Sequence, residues 1–178
     1  MDSDQPERGG PQDEALTGAI AAELPRVRRH AFHLLYSRAD AENLTQGCLE
    51  AALSRKASLR DPDKLRSWLF SILNTLFLLQ PETHRRRGQA PPIEEFADSL
   101  AASASPEDRH LARDLAHAMA KLSPEHRQIL LLLNVEGFRY QEAAEILDLP
   151  IAAVMSRLAR ARRQLRALLE GHDPPVVG

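Results

Sequence analysis

Apolar residues recur at steps of three and four along most of this chain, which is the spacing of a single buried helix face. Stripes of this kind run from position 16 to 35, from 65 to 76 and from 151 to 168. Val, Ile and Thr together supply only 15 of the 178 residues, whereas Ala and Leu supply 54. Because Ala and Leu favour helices and β-branched residues favour strands, the sequence predicts an all-α fold.

An acidic stretch that contains proline separates two helical regions. Residues 91–108 carry five carboxylates and neither lysine nor arginine, a composition typical of a flexible linker. We therefore expect two small helical domains. The expected divisions are a flexible tail at 1–13, a helical domain at 14–87, an acidic linker at 88–106, a second helical domain at 107–171 and a tail at 172–178.

Prolines, glycines and capping residues predict where the helices begin and end. Pro25 is expected to interrupt the first stripe and to begin a new helix, and Asp40 is expected to cap the helix that follows. Asp61 and Pro62 predict the start of a further helix, which Pro81 ends. The helices expected in the second domain cover 107–121, a segment from 124 that ends at a glycine at 137, then 141–147 and 151–169.

Several classes of protein are excluded by features that the sequence lacks. Its single cysteine rules out a disulfide framework and a multi-cysteine zinc site. No apolar run approaches the roughly 20 residues that span a bilayer, and the acidic N-terminus does not look like a signal peptide. We therefore expect no membrane insertion and a cytoplasmic location. No nucleophile–base pair, phosphate loop or catalytic carboxylate pair is recognisable, so we expect neither enzymatic activity nor a cofactor.

Two histidines and the cysteine are the only candidates for a metal site. His30 and His33 lie one helical turn apart, and they could hold a metal ion only with additional ligands. Surface histidines are therefore the interpretation that we favour, and no metal is expected. Cys48 lies on an apolar stripe and is expected to belong to the core.

The C-terminal part of the chain has the pattern of a helix-turn-helix motif. Two helices are separated by the three residues Asp148–Pro150, and residues 151–170 hold five arginines and one glutamate. The major groove of DNA admits one helix, from which arginine contacts guanine edges and phosphates. On spacing alone, a solvated basic helix of an ordinary bundle remains an equally good interpretation.

Residues 122–170 resemble region four of bacterial sigma factors, above all the small extracytoplasmic-function class that has only regions two and four. The similarity is carried by VEGFRYQEAAEILDLP followed by VMSRLARARRQL. Upstream, DAENLTQGCLEAAL, LRSWLFSILNTLF and a run of three arginines resemble region two. Together these matches span most of residues 20–170 in the order that the family has.

The resemblance implies roles for particular residues in promoter recognition. In region four it implies contacts with the upstream (−35) element for two groups of residues, at the start of the supporting helix and on the recognition helix: Arg139, Tyr140 and Gln141, and Ser156, Arg157 and Arg160. In region two it implies contacts with the downstream (−10) element from a loop, a helix face and a basic run: Arg60, Lys64 and Arg66, then Asn74 and Thr75, then Arg85, Arg86 and Arg87. Trp68 falls in the same region, but its apolar stripe favours a place in the core.

The resemblance also implies three partners, namely core RNA polymerase, promoter DNA and an anti-sigma factor. Asn43 and Gln46 occupy the motif that contacts polymerase, in which Gln46 matches whereas Asn43 and Gly47 stand where the family has acidic residues. Ala153 and Met155 likewise replace polar residues of the recognition helix. Two alternatives therefore remain open: a sigma-like decoy that sequesters an anti-sigma protein, and a simple helix-turn-helix repressor.

Overall fold

The computed structural model describes residues 10–82 and 105–171, and within these ranges every regular element is a helix. The N-terminal half, residues 10–82, contains α1 (Pro11–Leu35), α2 (Arg38–Ser54) and α3 (Leu65–Leu79), with short 3-10 turns at Lys56–Ser58 and Pro62–Lys64. The C-terminal half, residues 105–171, contains α4 (Pro106–Lys121), α5 (Pro124–Leu130, extended by a π turn over Leu131–Val135), α6 (Tyr140–Leu147) and α7 (Ile151–Leu169). The all-α prediction is confirmed.

Most helix boundaries follow the local signals in the sequence. Asp61 accepts a hydrogen bond from the backbone N–H of Asp63 at the turn that leads into α3, and Ser123 caps α5 through the N–H of His126. Gly137 has a φ of +71°, which glycine adopts without steric cost, and it separates α5 with its π turn from the segment before α6. The short helix and the long helix of the expected helix-turn-helix motif are both present.

Two expected boundaries are wrong. Pro25 does not start a new helix, because α1 continues through it from Pro11 to Leu35. Ile20 and Val27, on either side of the proline, are both fully buried, and this packing offsets the hydrogen bond that proline cannot make. The cap of α2 is Ser37 rather than Asp40, since the Ser37 hydroxyl accepts the Asp40 N–H at 3.2 Å.

The N-terminal half packs its three helices around one apolar core. Buried side chains from all three helices meet there, including Leu34, Cys48, Phe70 and Phe77. The Cys48 thiol donates to the Leu69 carbonyl at 3.5 Å, and burial raises the pKa of the thiol to about 12. The core position expected for Cys48 is confirmed.

The surface position expected for the two histidines is wrong. His30 and His33 are each only 1 % exposed, on the inner face of α1. The His30 ring packs edge-on against Phe70 with 4.9 Å between ring centroids. Burial, together with the neighbouring His30 and Arg29, lowers the pKa of His33 to about 4, although Glu136 acts in the opposite direction.

The two halves lie against each other and share a continuous set of buried side chains. The helix α3 packs on α6, and α1 packs on α5. The rings of Phe70 and Phe138, one from each half, meet edge to face at 5.0 Å between centroids. A ring pair of this geometry adds about 1 kcal/mol to simple burial, so the contact between the halves has an apolar centre.

A single arginine connects the ends of two helices across this contact. Arg127, in α5, donates to the carbonyls of Met119, Ala120 and Leu122 at the end of α4, each at 3.1 Å. It also donates to the carbonyl of Leu34 at the end of α1, at 2.5 Å. These carbonyls lie at or near the C-terminal ends of the helices, where the last carbonyls lack the usual partner four residues further along. Arg127 therefore satisfies helix ends from both halves at once.

Candidate nucleic-acid interface

The helix-turn-helix motif consists of α6, a three-residue turn and α7. Asp148 ends α6 in the left-handed conformation, with a φ of 52°, and Ile151 begins α7. Ala143 and Leu147 of α6 and Val154 and Leu158 of α7 are all buried. The opposite side of α7 is consequently left on the surface.

The residues expected to contact the upstream element lie on this exposed side or close to it. Ser156 and Arg160 are exposed on α7, and Arg157 is half-buried beside them. At the start of α6, Tyr140 and Gln141 are exposed. Arg139 precedes them, also exposed, and its backbone N–H donates to the Glu142 carboxylate at 2.8 Å. The structure thus brings all six residues to two neighbouring elements of one motif.

A cleft of about 300 Å³ lies in front of α3, and the structure places two of the residues expected at the downstream element in its wall. Arg60 and Lys64 line this cleft together with the half-buried Trp68. Glu145 and Ile146 of α6 complete the wall from the other half of the molecule. Sequence reasoning missed Glu145 and Ile146, because a contact between distant helices leaves no periodic pattern.

Arg66 and Asn74 do not face this cleft. Asn74 is 5 % exposed; its side-chain amide donates to the Ile146 carbonyl at 3.0 Å and accepts from Gln128 at 2.7 Å. The exposed position expected for Asn74 is therefore wrong. Arg66 hydrogen-bonds to the backbone carbonyl of Glu136 and stacks on Phe138, with its guanidinium 4.5 Å from the ring centroid. Both residues hold the C-terminal half in this structure.

The carboxylate of Glu136 is the most enclosed charge of this contact. It lies 3.3 Å from Arg66, 3.5 Å from the His30 ring and 3.8 Å from Arg26. Burial alone would raise the pKa of Glu136. The adjacent His30 and the charges of Arg66 and Arg29 outweigh that effect, so the pKa of Glu136 is held below its usual value. An ionised carboxylate from the C-terminal half is thus stabilised by groups of the N-terminal half.

The remaining expected sites are dispersed. Thr75 is exposed on α3, and its hydroxyl donates to the Ser71 carbonyl at 2.9 Å. Asn43 and Gln46 are both exposed on α2, where Gln46 donates to Glu50 at 3.2 Å. Arg85, Arg86 and Arg87 lie outside the described residues.

A second concave surface, of about 280 Å³, occurs on the C-terminal half. Its walls are almost entirely apolar, with Arg162 and Asn134 at the polar positions, and the apolar walls come from Leu115, Met119, Leu130, Leu131, Val135 and Leu165. Arg162 therefore points to a different side of α7 from Arg160.

Across residues 10–82 and 105–171, no group of three or more His, Cys, Asp or Glu side chains is arranged to hold a metal ion. In the same ranges no helix is both long enough and apolar enough to cross a bilayer.

Two family models match the chain in order. The Sigma2 domain of PhyR matches residues 20–74, and Sigma-70 region 4 matches residues 112–165. The first match covers α2 and most of α1 and α3, and the second covers the helix-turn-helix motif. The matched segments therefore lie one in each half of the structure.

Similar proteins and structures support the same family. The ECF RNA polymerase sigma factor EcfG of Rhodopseudomonas palustris is 31% identical over 89% of this chain and 87% of its own length. The ECF sigma factor SigE of Mycolicibacterium smegmatis is 35% identical, over 86% of this chain and 61% of its own length. The sigma factor RpoE of Bartonella quintana, solved with the anti-sigma factor NepR, has a TM-score of 0.66 at 28% identity, covering 88% of this chain and 98% of RpoE. CnrH, solved with the cytosolic domain of CnrY, has a TM-score of 0.64 at 26% identity, covering 91% of each chain. The chain belongs to the extracytoplasmic-function class of RNA polymerase sigma factors.

Proposed function

We propose that this sigma factor reads the upstream promoter element with α7 in the major groove, while the start of α6 contacts the flanking phosphates. The observation that carries the proposal is the exposed side of α7, where Ser156 and Arg160 point away from the buried Val154 and Leu158. Arginine on a helix in the major groove binds guanine edges or phosphates. The N-terminal end of α6 carries Arg139, Tyr140 and Gln141. The free backbone N–H groups at this end of a helix favour an anion such as a phosphate.

The downstream element would use the cleft in front of α3. Arg60 and Lys64 supply positive charge beside the flat surface of Trp68, which suits an unstacked base and its phosphates. Thr75 lies further along α3, and Arg85, Arg86 and Arg87 would hold the phosphates that follow. This binding mode requires a rearrangement, because Glu145 lies 4.0 Å from Lys64 at the cleft and Asn74 and Arg66 are occupied by the C-terminal half.

Contact with core polymerase would use the exposed face of α2 that carries Asn43 and Gln46. Core polymerase must hold the two halves far enough apart for both promoter elements to be bound together. Joining the halves by a linker raises the effective concentration of the second half once the first half is bound. The linker of this chain would then determine how far apart the two bound promoter elements can lie, and it would not determine which base sequences are recognised.

An anti-sigma protein is the third proposed partner, and the cytoplasm is the proposed location. RpoE was solved with the anti-sigma factor NepR, and CnrH was solved with the cytosolic domain of CnrY. The apolar concave surface around Met119 and Leu165 is a suitable place for the apolar face of such a partner. In this proposal the chain carries out no reaction of its own.

The proposal is tested with two arginines that lie two positions apart on α7. Arg160→Ala in the complex with core polymerase should weaken binding to the upstream element by about 1–3 kcal/mol, and the loss should depend on the base sequence. Arg162→Ala is the matched control, since Arg162 lines the apolar concave surface, and it should leave the sequence preference unchanged. Binding is measured on duplexes selected from a random promoter pool, together with run-off transcription.

Equal and sequence-independent losses for both variants would contradict the placement of α7. A chain that binds an anti-sigma protein but yields no promoter-dependent transcript would support the decoy function instead. Tight promoter binding by the chain without polymerase would support the repressor.

A further inference from the structure

A pocket on the N-terminal half holds the carboxylate of Glu136 in this structure. Its walls are the guanidinium groups of Arg26 and Arg66 and the ring of His30, which belong to α1 and α3. We call the residues Arg26, His30 and Arg66 the anion pocket. The pocket belongs to one half of the molecule, whereas its present occupant comes from the other half.

Separation of the halves leaves the anion pocket with an excess of positive charge. Arg29 acts on the Glu136 carboxylate together with Arg66, and Arg26 lies 3.8 Å from it. Glu23, 3.6 Å from Arg26, is a carboxylate of the same half and stays with these arginines. When Glu136 leaves with the C-terminal half, three arginines remain beside Glu23. Such a concentration of positive charge attracts an anion.

The fit of Glu136 indicates that the pocket admits a larger anion than a carboxylate. The carboxylate lies 3.3 Å from Arg66, 3.5 Å from His30 and 3.8 Å from Arg26. A tight bond between a charged N–H group and a carboxylate or phosphate oxygen measures about 2.7–2.9 Å. The Nε atom of Arg66 is buried and has no hydrogen-bond partner among the described residues. A phosphodiester group is larger than a carboxylate and can reach these donors at shorter distances.

The anion pocket adjoins the cleft proposed for the downstream element. Arg66 stands between Lys64 and Trp68 in the chain, and both of these line the cleft. The cleft and the pocket therefore share the start of α3. Single-stranded DNA is the polyanion that the proposed function brings to this place, and its backbone carries a phosphate on either side of a captured base. Charge and position thus favour the same ligand.

From these observations we infer that the anion pocket is a phosphate-binding site for the melted downstream strand, and that Glu136 occupies it while the halves are together. The inference rests on the proposed function of the cleft, to which it adds a phosphate contact and a competitor for that contact. Carboxylate and phosphate cannot occupy the pocket together, since their like charges repel each other.

The experiment removes the charge of one phosphate at a time. The complex with core polymerase first selects a promoter from random duplexes, and the downstream element is then presented unpaired with single methylphosphonate linkages, which are neutral. At least one linkage should weaken binding about tenfold, the loss expected for a hydrogen bond to a charged group. In Arg26→Ala the same linkage should change binding by less than about twofold. The slope of log affinity against log salt should also become shallower by about 0.7, the value for one phosphate of a single strand.

Arg28→Ala is the matched control, since Arg28 lies two residues further along α1 and pairs with Glu42 at 2.9 Å. It should keep the full methylphosphonate effect. Effects that all persist in Arg26→Ala, or selective promoter binding without any methylphosphonate effect, would overturn the inference and leave the proposed function standing. Failure to select any promoter would instead contradict the proposed function.

Glu136→Gln tests the competition, because it removes the charge of the occupant and keeps its shape. Without polymerase, this variant should bind the same unpaired strand about fivefold more tightly, since more molecules are open and the pocket holds no carboxylate. In the complex with polymerase its affinity should be unchanged. Glu107→Gln, at an exposed carboxylate of α4, is the control for simple loss of negative charge. Equal affinities of Glu136→Gln and Glu107→Gln without polymerase would overturn the role of Glu136 as the occupant.

Discussion

His33 illustrates how one enclosed side chain makes the whole fold sensitive to acid. Its ring is 1 % exposed on the inner face of α1. Burial is the main cause that lowers the pKa of His33 from 6.5 to about 4. The unfolded chain therefore binds a proton at a pH where the folded chain does not, and protonation favours unfolding.

The first prediction concerns the pH dependence of stability. As the pH falls from about 6.5 to about 4, the free energy of unfolding should decrease by about 3 kcal/mol through His33 alone. Urea unfolding at a series of pH values measures this loss. In His33→Gln the loss between pH 6.5 and 4.5 should be much smaller, whereas the exposed His110→Gln should behave as the unchanged protein does. A His33→Gln variant with the full slope would refute this explanation.

At the scale of the helices, two glycines, Gly47 and Gly137, differ in whether the backbone requires glycine. Gly47 lies inside α2, where a Cβ atom would meet only Leu76 Cδ1 at 3.5 Å, an ordinary contact. Gly137 has a φ of +71°, which other residues adopt at a cost. The same substitution should therefore have opposite effects at the two sites.

The second prediction is that Gly47→Ala stabilises the chain by about 0.5–1 kcal/mol, because alanine has the higher helix propensity. Gly137→Ala should destabilise it by about 1 kcal/mol. Thermal unfolding of both variants measures the two effects. If Gly47→Ala lowers the melting temperature, then α2 does not run straight through this position as described.

Comparison of particular helices shows which features local sequence can determine. The starts of α5 and of the turn before α3 were predictable, because Ser123 and Asp61 use their own side chains to satisfy nearby N–H groups. Continuation of α1 through Pro25 was not, since it depends on burial of Ile20 and Val27 against other helices. Local signals therefore predicted these two starts, but they did not predict the continuation of α1, where packing opposes the local signal.

The candidate site divides in the same way. Exposure of Ser156 and Arg160 follows from the period of α7 and could be predicted. Burial of Asn74 could not, because its partners are the backbone of Ile146 and the side chain of Gln128, more than 50 positions along the chain. Every residue type has a backbone carbonyl, so the hydrogen bond from Asn74 to Ile146 leaves no mark in the sequence at position 146.

At the scale of the molecule, the contact between the halves depends on a few buried polar groups from the C-terminal half. Gln128 holds Asn74, and Glu136 holds Arg66 and lies beside His30. Removal of such partners leaves buried polar groups unsatisfied, which costs about 1–3 kcal/mol each. The arrangement of the two halves should accordingly be easier to disturb than either core.

The third prediction is that Gln128→Ala combined with Glu136→Ala separates the halves without unfolding them. The radius of gyration measured by small-angle X-ray scattering should increase, while the helical circular-dichroism signal stays the same. Glu107→Ala, which removes an exposed carboxylate from α4, is the control and should leave the radius unchanged. An unchanged radius in the double variant would contradict this prediction, and it would show that the remaining contacts between the halves are sufficient, namely the hydrogen bonds of Asn74 and Arg127 to backbone carbonyls and the Phe70–Phe138 ring pair.

Occupation of Asn74 by the C-terminal half has a consequence for the many chromosomal sequences that resemble a promoter by chance. A single DNA strand that needs this part of α3 must first displace α6. Its apparent affinity for the chain without polymerase is therefore the intrinsic affinity multiplied by the fraction of molecules in which the two halves are apart. Copies of the chain that have not yet met polymerase would consequently retain melted DNA on α3 less well than copies in which the halves are apart.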